Sequence, residues 1–285
     1  MSESTRIKSF RREIIAALPK FPNNRETVRV LDEMPLGTLL VHYLNWVTRL
    51  VSIRPRKTTI TPAITADRRW KALSTSIMPL LQKVRDGECL TPNLSLQTRT
   101  KGFTPMAGSK DASVDRWSDK DFLLNVMGFH HFHLGQTLQQ DGYVERTGPV
   151  LFARVEDDMF TAIGIFDHSV FEGPSEEMSD ERKRLWELFE AYTSFGIRPG
   201  QVYVSTDIAT SGHANHVVRA AFKIARMVQS VDSRLEDRDF LESLYGSKKR
   251  CPRGSLKFDW VLNFSELLLH EKKHDEHFLM CPGIS

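Results

Sequence analysis

The chain has 285 residues, of which 40% are hydrophobic and 26% charged, and its formal net charge is +3. These values fit a globular protein with a sizeable core and exclude a wholly disordered chain. No stretch approaches the roughly 20 apolar residues that cross a bilayer, and the charged start lacks the apolar segment of a secretory signal, so a cytoplasmic protein with no membrane partner is expected.

In chain order, Ile7, Phe10, Ile14, Ile15 and Leu18 recur at spacings of three and four, which predicts an amphipathic helix ended by Pro19. Leu39, Leu40, Tyr43, Trp46, Val47 and Leu50 predict a second helix over 36–50. The run from Pro55 to Pro62 then reads as turn-forming. A third helix is expected over 67–85, kinked or divided at Pro79. Residues 88–114 read as a loop. Ser118 with Asp121 fits a capping box before Phe122, Leu123, Leu124 and Val126. The segments FHHFHL, PVLFARV and MFTAIGIF read as strands, the last two as a hairpin turning at Asp157–Asp158. Further helices are expected over 176–195 and 216–231, with a short strand at 202–205, a basic loop at 248–250, and closing strands from Phe258 onward. The expected fold is α+β: a helical N-terminal part, then a small antiparallel sheet flanked by helices.

Charge divides unevenly along this plan. Residues 1–114 hold 19 Lys/Arg against 9 Asp/Glu, a net +10, and residues 115–285 hold 20 against 27, a net −7. The expected division is therefore a basic, mainly helical region over 1–114 and an α+β domain over 115–285 that carries the site. A basic third suits RNA or another nucleic acid, with Arg11, Arg12, Arg54, Arg56 and Lys57 as phosphate contacts. It equally suits docking on acidic residues, a protein partner or a homo-oligomer.

The chemistry concentrates between His130 and His168. On a strand, His131 and His133 share one face and His130 the other. Arg146 precedes the PVLFARV strand, Arg154 lies within it, and the hairpin returns His168 to the level of Arg146 and Pro149. Imidazoles suit proton transfer at neutral pH and guanidinium suits phosphate. Arg154 is expected to pair with Glu156 or Asp158 instead. Thr210–His216 reads as a helix-capping loop. His270, His274 and His277, spaced by four and three, would form a metal row on a helix, but their flanks read as strands around a solvated turn. The three scattered cysteines, Cys89, Cys251 and Cys281, form no CxxC pair, and HExxH, GxSxG, Walker and GxGxxG patterns are absent. No metal and no cofactor are expected.

The stretch HHFHLG, Arg146, PVLFARV and FTAIGIFDH resembles the core of RelE/ParE-type toxin endoribonucleases. That resemblance implies metal-independent RNA cleavage: a base takes the 2′-hydroxyl proton, a cation steadies the phosphorane, and an acid protonates the leaving 5′-oxygen. The implied catalytic set is His131, His133, Arg146 and His168. The alternatives are a metal-dependent nuclease or hydrolase, with a histidine of the 130–133 segment joined by Asp167 and His168, and a non-enzymatic subunit of a larger assembly.

Overall fold

A computed structural model of the chain describes residues 3–105, 121–172, 178–195, 197–198, 201, 208–246 and 250–284. The helices are α1 (Thr5–Ala17), α2 (Arg25–Glu33), α3 (Leu36–Val47), α4 (Pro62–Thr65), α5 (Trp70–Asp86), α6 (Gln97–Thr100), α7 (Phe122–Met127), α8 (Asp180–Ser194), α9 (Asn215–Asp232) and α10 (Arg238–Tyr245). The strands are β1 (Lys57–Ile60), β2 (Phe129–His133), β3 (Val150–Val155), β4 (Met159–Phe166), β5 (Phe258–Asn263), β6 (Glu266–Glu271) and β7 (Glu276–Cys281). The strand expected at 202–205, and Lys248 and Lys249 of the basic loop, lie outside the described residues. Among the described residues no helix is long and apolar enough to cross a membrane.

The chain packs as two compact units, and they do not follow the expected division after residue 114. The first comprises Met1–Thr48, Arg99–Lys120 and Ile208–Ile284; the second is chiefly Arg49–Thr98 and Asp121–Asp207. Each therefore draws on both the basic and the acidic part of the sequence.

In the first unit, α1 starts at Ser4, whose hydroxyl accepts the Ile7 N–H at 3.2 Å. The predicted stripe Ile7, Phe10, Ile14, Ile15 and Leu18 is buried in a core shared with α3, α9 and strands β5 to β7. Helix α3 packs against α9, and Gly37 permits the approach: a Cβ there would meet the Phe222 ring at 2.7 Å. The sheet is a plain antiparallel meander, β5-β6-β7.

In the second unit the strand order is β1-β4-β3-β2, with β1 parallel to β4 and the other pairs antiparallel. The expected single antiparallel sheet is thus two sheets, one of them mixed. One face buries Phe132, Leu151, Ala153, Phe160 and Ala162 under Ile77, Leu80, Leu81 and Val84 of α5. The other buries Phe129, Val150, Phe152, Ile163 and Phe166 with Val170 and Leu185. Pairing skips Ile163, because Phe152 faces Gly164 while Ala153 faces Ala162, a bulge that resets which β4 side chains meet each face. Helix α5 is one continuous helix despite Pro79. The ring removes the N–H that would reach the Thr75 carbonyl, and the Gln136 amide donates to that oxygen at 3.2 Å instead.

Candidate functional site

The site grows out of strand pairing. His133 pairs with Val150, and Val150 pairs with Phe166, so the three form one row across β2, β3 and β4. Directly after Phe166 the chain turns through Asp167 into a short 3-10 helix, His168–Phe171. That turn delivers His168 and Phe171 to the strand face that already carries His131 and His133. Asp167 fixes the turn rather than facing the histidines: its carboxylate accepts from the Ser169 N–H at 2.9 Å and the Ser169 hydroxyl at 2.5 Å. The Ser169 hydroxyl bond holds the carboxyl below the usual range.

The rings of His133 and His168 lie 5.8 Å apart, and those of His131 and His133 6.1 Å apart. His131 also packs on Phe171, at 4.7 Å, and on Phe152, at 5.8 Å. His133 is 4% exposed, and its Nδ1 is buried without a hydrogen-bond partner among the described residues. Burial, aided by the charges of His131, Arg146 and His168, pushes its pKa down to about 4. Burial also lowers His131; the Asp121 carboxylate opposes this, while His168 and Arg146 reinforce it. Both imidazoles are therefore neutral proton acceptors at pH 7.

His168 differs from them in being exposed. Its Nδ1 lies 2.7 Å from the Gly148 carbonyl oxygen, which can only accept, so Nδ1 carries the proton and Nε2 is the exchangeable atom. Arg146 is exposed, and among the described residues it has no hydrogen bond or ion pair that neutralises it. Its charge acts on both His131 and His133. The loop that bears it is tied down by Glu145 N–H donating to the Thr137 carbonyl at 2.8 Å.

His131, His133, Arg146 and His168 are thus brought together, whereas other candidates are not part of the group. His130 lies on the opposite side of β2. Together with His131, Arg49, Asp121 and Thr98 it lines a cleft of about 20 Å³ at that strand, room for roughly one water. Arg154 is committed, as expected, to Glu156 at 3.0 Å, and its guanidinium lies 5.7 Å from the Tyr192 ring centre. Asp121 itself is the α7 N-cap, accepting from the Leu124 N–H at 3.0 Å; Ser118 lies outside the described residues. His213, in the first unit, is buried with Nδ1 at 3.0 Å from the Ser211 hydroxyl.

The basic residues expected to hold phosphates divide as well. Arg11, expected to be a phosphate contact, is instead buried, donating to the Met34 carbonyl at 2.7 Å and to the Glu3 carboxylate at 2.7 Å. Arg56 is buried too, with donors on the Glu156 and Ser52 carbonyls at 2.7 and 2.9 Å. Arg54 pairs with Asp157 at 3.2 Å. Arg12 and Lys57 are exposed, the first in one unit and the second in the other.

The contributions of Phe171, Gly148 and Asp121 carry no sequence signature, because each depends on where the strands end. No family model, curated protein or solved structure matches this chain, so its function is read from the chemistry of the site itself.

Proposed function

We propose that this protein is an endoribonuclease of toxin or defence-effector type that cleaves RNA by histidine acid–base chemistry without a metal. The observation that carries the proposal is the grouping of two neutral imidazoles, His131 and His133, with one exposed imidazole and one exposed guanidinium. His131 or His133 accepts the 2′-hydroxyl proton as oxygen attacks phosphorus. Arg146 takes the charge that gathers on the phosphorane oxygens. His168, the ring that solvent can reload, passes a proton from Nε2 to the departing 5′-oxygen. The resemblance of residues 130–168 to the RelE/ParE core points the same way. Exposed Arg12 and Lys57 are the remaining backbone contacts in this reading.

The test is cleavage of RNA in EDTA by protein prepared without a histidine tag. His168→Gln and Arg146→Ala change exposed side chains and spare the core, and each is expected to lower the rate by about 10²–10⁴-fold. His131→Ala and His133→Ala are expected to do the same. Cleavage that survives all four changes, or no cleavage by the unaltered protein, rejects the proposal.

A second reading has one specific observation in its favour. The buried Nδ1 of His133, which has no partner among the described residues and lies between two further imidazoles, is the kind of atom a metal ion satisfies, as in a metal-dependent nuclease or hydrolase. Elemental analysis after dialysis decides: a stoichiometric transition metal lost in His133→Ala selects this reading over the first.

A further inference from the structure

The β6-β7 hairpin of the first unit brings two histidines face to face. His270 and His277 are directly opposite in the strand register, and their rings stack 4.2 Å apart, only 4° from parallel. The turn between them returns Asp275 to the same spot, with its Oδ1 2.9 Å from the His270 Nε2. The ligand atoms of these three residues all lie within 4.8 Å of one another, a property no other such group shares among the described residues. The sequence spacing, four and then three, would give a row of three histidines only on a helix, and the flanks read as strands around a solvated turn. The hairpin instead drops His274 and recruits Asp275.

We propose that His270, Asp275 and His277 form a binding site for a divalent transition-metal ion of the zinc class. Two imidazoles and one carboxylate are borderline donors that suit zinc, copper or nickel, and water completes the tetrahedron on the exposed side. Magnesium and calcium, which want oxygen ligands throughout, are not accommodated. The ion takes the place of the proton shared between His270 Nε2 and Asp275, which goes to solvent.

The turn is organised before any ion arrives. The Glu271 carboxylate, 0% exposed, accepts from the backbone N–H groups of Lys257 at 3.1 Å, Lys273 at 3.2 Å and His274 at 2.9 Å, and it contacts the His274 ring at 2.7 Å. That clamp accounts for the absence of His274 from the ligand set. It also holds Asp275 in the left-handed region, φ 54°, which aspartate and asparagine tolerate better than most residues.

Isothermal titration of the full, untagged, chelator-stripped chain with zinc chloride tests the assignment, with magnesium and calcium chloride as comparisons. One zinc is expected at the hairpin, with neither of the other ions bound there. Loss of an orienting partner alone costs roughly 10–100-fold in metal affinity. His270→Ala and His277→Ala, which remove ligands, should therefore weaken this site at least tenfold. Asp275→Asn, which preserves the turn, should weaken it as well. His131→Ala, in the other unit, should leave the site unchanged, which separates it from any zinc at His133. Far-UV circular dichroism confirms that the variants fold; Asp275 and His277 are exposed and His270 is part-exposed. Absence of zinc binding, or undiminished affinity in both histidine variants, overturns the proposal.

Discussion

The imidazole of His168 stands 5.8 Å from that of His133, although 35 positions separate them in the chain. Three strands bridge that separation, and the Gly148 carbonyl locks the tautomer of the incoming ring. If the lock matters, changes that move the 146–149 loop should lower RNA cleavage while leaving the histidines themselves intact.

Gly135 offers that change. A Cβ at this position would lie 2.0 Å from the Glu145 carbonyl oxygen, a backbone atom that cannot swing aside. Gly135→Ala is expected to displace the loop bearing Arg146, costing about 1–3 kcal/mol of stability through overpacking. Cleavage should fall further than stability explains. Urea midpoints beside rate measurements check this, and full activity with unchanged stability would refute it.

Stability should fall as the solution is acidified through a window set by His133. Its folded-state pKa, about 4, lies below the ordinary 6.5, so between those values the unfolded chain binds the extra proton and the folded one does not. Stability is unaffected by this group above pH 6.5, declines as pH drops towards 4, and is lower by on the order of 3 kcal/mol beneath that. His131, lowered in the same direction, adds to the slope. Glu271, which burial alone would raise, is held at about 2 by its hydrogen bonds and contributes only at lower pH, as its carboxylate protonates. Urea unfolding at several pH values should show the first decline in the unaltered protein and a shallower one in His133→Gln.

Arg11 is expected to be structural. Arg11→Ala leaves the Met34 carbonyl and the Glu3 carboxylate without their donor, at a cost of about 1–3 kcal/mol. Arg12→Ala, on the exposed side of α1, should cost little stability, and any effect it has should appear in the salt dependence of RNA binding. Thermal melts and binding isotherms at two salt concentrations separate the two residues.

Asp232 joins two segments far apart in sequence. It accepts from the Arg6 guanidinium and from the Trp260 indole, both at 2.9 Å. Asp232→Ala strands the indole N–H in the core, where Trp260 is 1% exposed, and should destabilise the first unit by about 1–3 kcal/mol. Tryptophan fluorescence through a denaturant titration reads the shift; an unchanged midpoint would contradict it.

Much of the second unit is legible in the sequence because its strands are buried or alternate. PVLFARV and MFTAIGIF are apolar runs bounded by turn residues, and the parity of His131 and His133 puts them on one face. Strand β1 is not legible: KTTI has no apolar alternation and sits between prolines, and it becomes a strand by pairing with β4. Helix α2 escapes notice because RETVRVLDE buries only Thr27 and Leu31 and depends on the Asn24 cap. Pro79 misleads towards a kink because the donor that compensates it, Gln136, comes from a distant loop. Arg11 looks solvated from helical spacing alone, since its acceptor at Met34 belongs to another segment. The hairpin histidines are legible as residues and not as a site, because strand register pairs 270 with 277 and no sequence spacing states it.

The interleaving of the two units dictates an order of events at the ribosome. Every segment of the second unit's sheet has been synthesised by residue 207, so that unit can close while the chain is still growing. The apolar stripe of α1, by contrast, waits for α9 and for Trp260 on β5 before its core is complete. At about 5–20 residues per second that wait lasts roughly 10–50 s. During it, Phe10, Ile14 and Leu18 have only α2 and α3 to pack against, which makes the N-terminal segment the natural point for a chaperone to engage the emerging chain.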